Sequence, residues 1–184
     1  MKRYTSLFLS TSLLFFSCKQ QSETSTNFYC ESNSVKNLEK VNDVKGLFAV
    51  ELPKTWKINL FYDEIQSSIY TADTTKQFTE TILLDITYIE KPILFNEAFL
   101  LNLEREKLGD KLIRIHSQKR KFKEKEAYFT TFIGKKKNYK YKVLEMYVKI
   151  NKKSFLHTKT EIYGDSLIDQ RLCKAIHLID KINF

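Results

Sequence analysis

Three histidines, three cysteines and a set of clustered lysines are the residues of this 184-residue chain with the widest chemical reach. Histidine moves protons near neutral pH or ligates a metal. His116 and His157 fall on the polar alternation of their strands and His177 opposite an apolar helical stripe, so all three read as surface residues. There is no His pair at helical spacing, no Cys-x-x-Cys and no Asp-rich loop of calcium type. A metal site is therefore disfavoured. Glycine occurs only at 46, 109, 134 and 164, which excludes a Gly-x-Ser-x-Gly elbow or a phosphate-cradling loop. The acidic pairs Asp63 and Glu64, and Glu124 and Glu126, fit charged turns. A glycosidase needs carboxylates converging at about 5 to 9.5 Å across a cleft, which adjacency in sequence does not supply. The residues thus point away from an enzyme, and no cofactor is expected.

Basic clusters are the strongest polar signal: Lys119-Arg120-Lys121-Phe122-Lys123, Lys135-Lys136-Lys137, Lys140, Lys142 and Lys152-Lys153. One reading is solvation and protection of hairpins against edge pairing. The other is contact with an anionic head-group surface, worth about 1 kcal/mol per lysine close to the membrane. Lys119, Arg120, Lys121, Lys123, Lys135, Lys136 and Lys137 are the candidates for it. Residues 135–137 and 152–153 fall at successive turns, so they belong to opposite ends of a sheet.

The N-terminus restricts the partners. A basic start at Lys2 and Arg3, an apolar stretch from Leu7 to Phe16 and small Ser17 before Cys18 have the layout of a secretory signal. The stretch is shorter than the roughly 20 residues a membrane-spanning helix needs. Leu14-Phe15-Phe16-Ser17-Cys18 resembles a lipobox, with Phe15 where the commonest pattern has Leu, in a form similar to Bacteroidetes lipoproteins. The resemblance implies cleavage before Cys18 and acylation of its thiol. Each buried methylene contributes about 0.8 kcal/mol, so two or three chains hold the protein permanently. Cleavage removes Lys2 and Arg3, lowering the formal charge from +9 to +7 (9 − 2). In the envelope such a chain meets anionic lipid and an envelope protein or component rather than nucleic acid. An outer-membrane location facing the periplasm is expected.

With Cys18 lipidated, Cys30 and Cys173 remain as one candidate disulfide in an oxidising compartment, the alternative being two free thiols. Closing their 143-residue separation contributes about 5 kcal/mol on the chain-entropy model.

These residues need a scaffold. Residues 19–34 are rich in Ser, Thr, Gln and Asn and read as a tether. Residues 35–45 carry Val35, Leu38, Val41 and Val44 at a spacing of three, suiting a short helix at the domain edge. From residue 47 the texture becomes strand-like: 47–52, 56–62, 67–72, 81–90, 111–118, 127–133, 139–150 and 154–163, with turns at 134–138 and 151–153. The last two strands alternate apolar with polar residues, the mark of an antiparallel sheet.

Two segments follow helical period instead. Asn96 would cap a helix running to Leu108 with Gly109 as its stop, and Asp165 or Ser166 would cap another running to about Lys181. In the second, Ile168, Leu172, Ala175, Ile176, Ile179 and Ile182 form one stripe. Cys173 lies roughly 120 to 140 degrees from its centre, which favours the disulfide over a buried thiol.

The phrase Phe48-Ala49-Val50-Glu51-Leu52-Pro53-Lys54-Thr55-Trp56, followed by strands, a helix, a long meander and a closing helix, resembles the PsbP-like family over residues 47–184. Thr55 stands where that family usually has Gly. The resemblance implies an α+β domain, an antiparallel β-sheet flanked by helices as an α/β/α sandwich, after a signal peptide (1–17) and a flexible tether (18–46). It also implies a binding or assembly role, with no family catalytic residue to carry over. The alternative is a small-ligand or lipid carrier, with an apolar pocket of about 300 Å³ or more between sheet and helices. An enzyme of unrecognised type ranks third.

Overall fold

Period-two alternation and one helical stripe build most of the architecture. The computed structural model describes Cys30 and residues 35–184. The expected signal peptide, Cys18, and tether residues 19–29 and 31–34 lie outside the described residues. The element order is β1 (Leu38–Asn42), β2 (Ala49–Pro53), β3 (Lys57–Tyr62), β4 (Gln66–Ala72), β5 (Leu83–Ile89), α1 (Glu97–Gly109), β6 (Leu112–Phe122), β7 (Lys125–Lys136), β8 (Tyr139–Lys149), β9 (Phe155–Tyr163) and α2 (Ile168–Ile179). β3 to β9 make a seven-stranded sheet in the order β3-β4-β5-β9-β8-β7-β6. Every neighbouring pair in it is antiparallel.

One face of this sheet is fully dressed. Ile69, Ile86, Met146, Val148 and Leu156 share a core with Val50 and Leu52 of the β1–β2 ribbon and with Ala175, Leu178 and Ile179 of α2. From the expected stripe Leu172, Ala175, Ile176, Ile179 and Ile182 are buried. Each aliphatic side chain so buried contributes about 1.5 to 3 kcal/mol.

The opposite face is dressed over only part of its width. α1 lies over β6 to β8, where the Phe99 ring meets Tyr128 at 5.5 Å and Tyr147 at 5.2 Å, and Leu103 joins Phe132 and Val143. The cap expected at Asn96 forms, its Oδ1 accepting from the Phe99 N–H at 3.0 Å.

Several local expectations are corrected. Residues 38–42 are not helical but a strand paired with β2, Leu38 opposite Pro53. A helix this short is marginal alone, whereas the ribbon satisfies its backbone and lays Leu38 and Val41 on the core. β6 runs on to Phe122, so Lys119, Arg120 and Lys121 lie in a strand and the turn falls at Lys123-Glu124. Both turn residues take positive φ, 47° and 64°, as a two-residue hairpin demands, without the Asn-Gly that advertises one.

Gly134, expected in a turn, lies within β7. A Cβ there would meet the Lys111 carbonyl oxygen at 2.7 Å and Leu112 Cδ2 at 2.9 Å, so the glycine serves close strand approach. Gly109 closes the last turn of α1, and Lys111 takes the left-handed conformation instead, with φ 58°. α2 starts after Leu167, which has φ 48° and makes no side-chain cap bond. Asp165 instead pairs with Lys140 at 2.8 Å, and Asp169 with Lys142 at 3.1 Å.

Candidate functional site

Because α1 stops over β8, the same face of β4, β5 and β9 is left without a helix. Alternation makes this visible residue by residue. On β9 Leu156, Thr158, Thr160 and Ile162 are buried while Phe155, His157, Lys159 and Glu161 between them stay half-buried. On β4 and β5 the half-buried set is Gln66, Tyr70, Ala72, Leu83, Asp85 and Ile89. Strand register sets Tyr70 opposite Asp85, and Asp85 opposite Lys159, so one row of the face reads Tyr70, Asp85, Lys159.

Several polar groups of this open face are bonded to one another. Lys159 Nζ lies 2.6 Å from Glu161 Oε1. The Tyr141 hydroxyl also donates to Glu161 Oε1, and the Tyr163 hydroxyl donates to Oε2 at 3.4 Å. Thr87 donates to Asp85 Oδ1 at 2.9 Å and shares a 2.8 Å bond with Ser68. Burial opposes ionisation of Glu161, yet the Lys159 and Tyr141 bonds outweigh it and hold its pKa below the carboxylate norm. Burial, ahead of the Thr87 bond, pushes Asp85 the other way. Lys136 reaches over the Tyr141 and Tyr163 rings at 5.3 and 5.9 Å, and Phe78 stacks on Tyr163 at 4.2 Å. The Tyr141 and Tyr163 rings are themselves buried, so the face rests on packed aromatic rings with its charges already paired.

Beside it, under α1, lies a buried ionic cluster. Lys107 Nζ is 2.7 Å from Glu145 Oε1, their side chains 5% and 0% exposed. The Tyr147 hydroxyl donates to Glu145 Oε2 at 2.9 Å. Burial pulls Lys107 down, but the Glu145 charge and its bonds to Glu145 and Glu106 leave its pKa above the ordinary lysine value. Burial first, and then Glu145, drives the Tyr147 phenol far up. His157 lies flat on the Tyr147 ring, 4.3 Å between centroids. The expectation that His157 is a surface residue is thus corrected: it faces the half-covered side of the sheet. The layer between α1 and the sheet, where a carrier's pocket would lie, holds Phe95, Phe99, Tyr128 and Tyr147 at centroid spacings of 5.2 to 6.0 Å.

The residues singled out in the sequence scatter. Cys30 and Cys173 are disulfide-bonded, S–S 2.10 Å and Cα–Cα 5.3 Å, against Leu144, Ile162, Leu172 and Ile176. Cys18 is outside the described residues. Lys119 and Lys121 are exposed on the edge strand β6, and Arg120 is half-buried. Lys123 turns inward, donating to the Ile182 carbonyl and, at 3.3 Å, to Asn183 Oδ1, and burial lowers its pKa. Lys135 and Lys136 end β7, and Lys137 lies in the turn that follows, with φ 55°. Among the described residues no three His, Cys, Asp or Glu side chains converge as a metal site, and no helix is long and apolar enough to cross a membrane.

What sequence reading missed is the open face. Its one signal was Asp85, a lone acid inside the otherwise uncharged run Leu83–Ile89.

A sheet covered fully on one face and partly on the other, closed by a C-terminal helix, is an α+β sandwich of PsbP-like fold. No family model and no curated protein sequence matches the chain. Among solved structures, the cyanobacterial PsbP of Synechocystis sp. PCC 6803 is similar over 84% of this chain and 96% of its own, with TM-score 0.57 and 12% identity. The Saccharomyces cerevisiae Ran-binding protein Mog1p is similar over 80% and 95%, with TM-score 0.54 and 6% identity. A Bacteroides thetaiotaomicron protein is similar over 80% of this chain and 48% of its own, with TM-score 0.52 and 11% identity.

Proposed function

We propose that this chain is a non-catalytic binding or assembly module that docks an envelope protein on the open face of β4, β5 and β9. The observation carrying this is that half of one sheet face lacks a helix yet displays Tyr70, Phe155, Asp85, Lys159 and Glu161 half-buried, several in a finished hydrogen-bond network. Pre-bonded polar groups and rigid aromatic rings lower the ordering cost of association, and Tyr is enriched among the residues that dominate interfaces. Such a network leaves its carboxylates committed, which suits recognition better than proton transfer. That one fold neighbour is a Ran-binding protein supports protein recognition on this scaffold. Acylation of Cys18 would hold the module at the periplasmic side of an outer membrane, a reading that rests on the lipobox-like sequence.

The test is cross-linking in intact cells, comparing the native chain with Tyr70→Ala and Lys159→Ala, paired with mass spectrometry of the N-terminal peptide. A partner lost in both variants, with circular dichroism unchanged, is expected, together with diacylglycerol on Cys18. A partner indifferent to both substitutions would remove the open face from the proposal, and an intact Met1 would remove the anchor.

A further inference from the structure

The seven-stranded sheet ends in two edges of opposite character. β6 carries Arg114, Lys119, Arg120 and Lys121 and breaks register between Arg114 and His116. Cations and a bulge are how proteins blunt an edge against pairing. β3 has neither device. Lys57 is its only charge, its register with β4 is unbroken from Lys57 to Tyr62, and Leu60, Phe61 and Tyr62 are 44%, 58% and 65% exposed.

The backbone direction at this edge follows from the hairpin. The Asp63 N–H donates to the Gln66 carbonyl at 3.0 Å, and the Lys57 carbonyl accepts from Thr71 Oγ1 at 3.0 Å. Odd-numbered residues of β3 therefore bond towards β4, and by antiparallel geometry Ile58, Leu60 and Tyr62 direct their N–H and C=O groups outward. Among the described residues, β3 is the terminal strand on that side.

We propose that β3 pairs with β3 of a second copy of this chain, antiparallel about a two-fold axis at Leu60. Outward residues must oppose outward residues, and centring on Leu60 sets Leu60 against Leu60, Ile58 against Tyr62 and Asn59 against Phe61. The same register sets Lys57 of each copy against Asp63 of the other. Asp63 Oδ1 is used within its own turn, accepting from Ile65 and Gln66 at 2.8 and 2.9 Å, which leaves Oδ2 for the lysine. Charge complementarity thus selects a second copy, because the contact is matched at both ends by its own symmetry. Cross-strand apolar pairs and opposite charges each favour the pairing. The contact is small, so the dimer is reversible and weak.

Sedimentation velocity of the full chain in detergent, from low to high micromolar, is expected to show a monomer–dimer equilibrium that weakens as salt rises. Leu60→Pro removes an N–H that β4 does not use, so the chain should stay folded by circular dichroism and become monomeric. Lys57→Glu turns two exposed attractions into repulsions; the dimer should weaken about tenfold and its salt dependence should change sign. A native chain monomeric throughout overturns the proposal, as does a folded Leu60→Pro chain that dimerises normally. Should the proline variant unfold, an unchanged salt dependence in Lys57→Glu overturns it instead.

Discussion

His157 lies against Tyr147 with its Nε2 enclosed, lacking a hydrogen-bond partner and 3.9 Å from Glu145 Oε2. Burial, reinforced by the Lys107 charge, holds its pKa well below the usual imidazole value, at about 3. As pH falls, the unfolded chain takes up the proton near 6.5 and the folded chain refuses it. Stability is therefore complete above about 6.5 and drains between there and about 3, at up to about 1.4 kcal/mol per pH unit. His157→Phe keeps a ring on Tyr147 and abolishes the titration. In urea unfolding, the native chain should lose about 2 to 3 kcal/mol more than this variant between pH 7 and 4.5. Parallel pH profiles would show an imidazole that titrates freely. The sequence placed His157 and Glu145 on the polar side of their strands, which is correct. Whether a polar side meets water or a helix depends on how far α1 reaches, and no local pattern encodes that. The same gap hid the Lys107–Glu145 pair, since a lysine in an amphipathic helix looks the same exposed or buried.

The long β6–β7 hairpin shows what element-level reading captures. Alternation located both strands, but their ends were drawn short, at 118 for β6, where Lys119-Arg120-Lys121 interrupts the apolar alternation, and at 133 for β7. In a strand, that run guards an edge. β6 also approaches β7 closely at Gly134, where an added Cβ would sit 2.7 Å from backbone oxygen and 2.9 Å from Leu112 Cδ2. Gly134→Ala must push β6 outward or distort Leu112, a buried member of the α1-side core. An overpacking cost of about 1 to 3 kcal/mol is expected. Thermal unfolding should record it as a lower Tm, and an unchanged or raised Tm would mean the strands separate freely there. The α2 stripe was legible because six apolar residues at helical spacing leave little choice of face. Arg171 was not: it is buried off that stripe, donating from Nη1 to the Thr81 and Tyr163 carbonyls at 3.0 Å each. Loops far apart in sequence create that environment.

At the scale of the whole molecule, one covalent link joins the described chain's first residue to its last helix. Cys30 and Cys173 are 143 residues apart and bonded, over a small core of Leu144, Ile162, Leu172 and Ile176. The assignment of Cys18 to the lipid and the off-stripe position of Cys173 pointed to this pair, whereas the core beneath it could not be read, because Leu144 and Ile162 come from the middle of the sheet. By constraining the unfolded ensemble over so long a loop, the bond contributes up to about 5 kcal/mol, and strain or residual denatured structure lowers the measured figure. Cys173→Ser is expected to cost about 2 to 5 kcal/mol in urea unfolding. Reductant should bring the native chain down to the variant's midpoint and leave the variant unmoved, which separates loss of the bond from loss of sulfur packing. If reductant leaves the native midpoint in place while the variant is destabilised, packing alone accounts for the effect. The ribbon would then rest on α2 through Val50 and Leu52 without needing a covalent link.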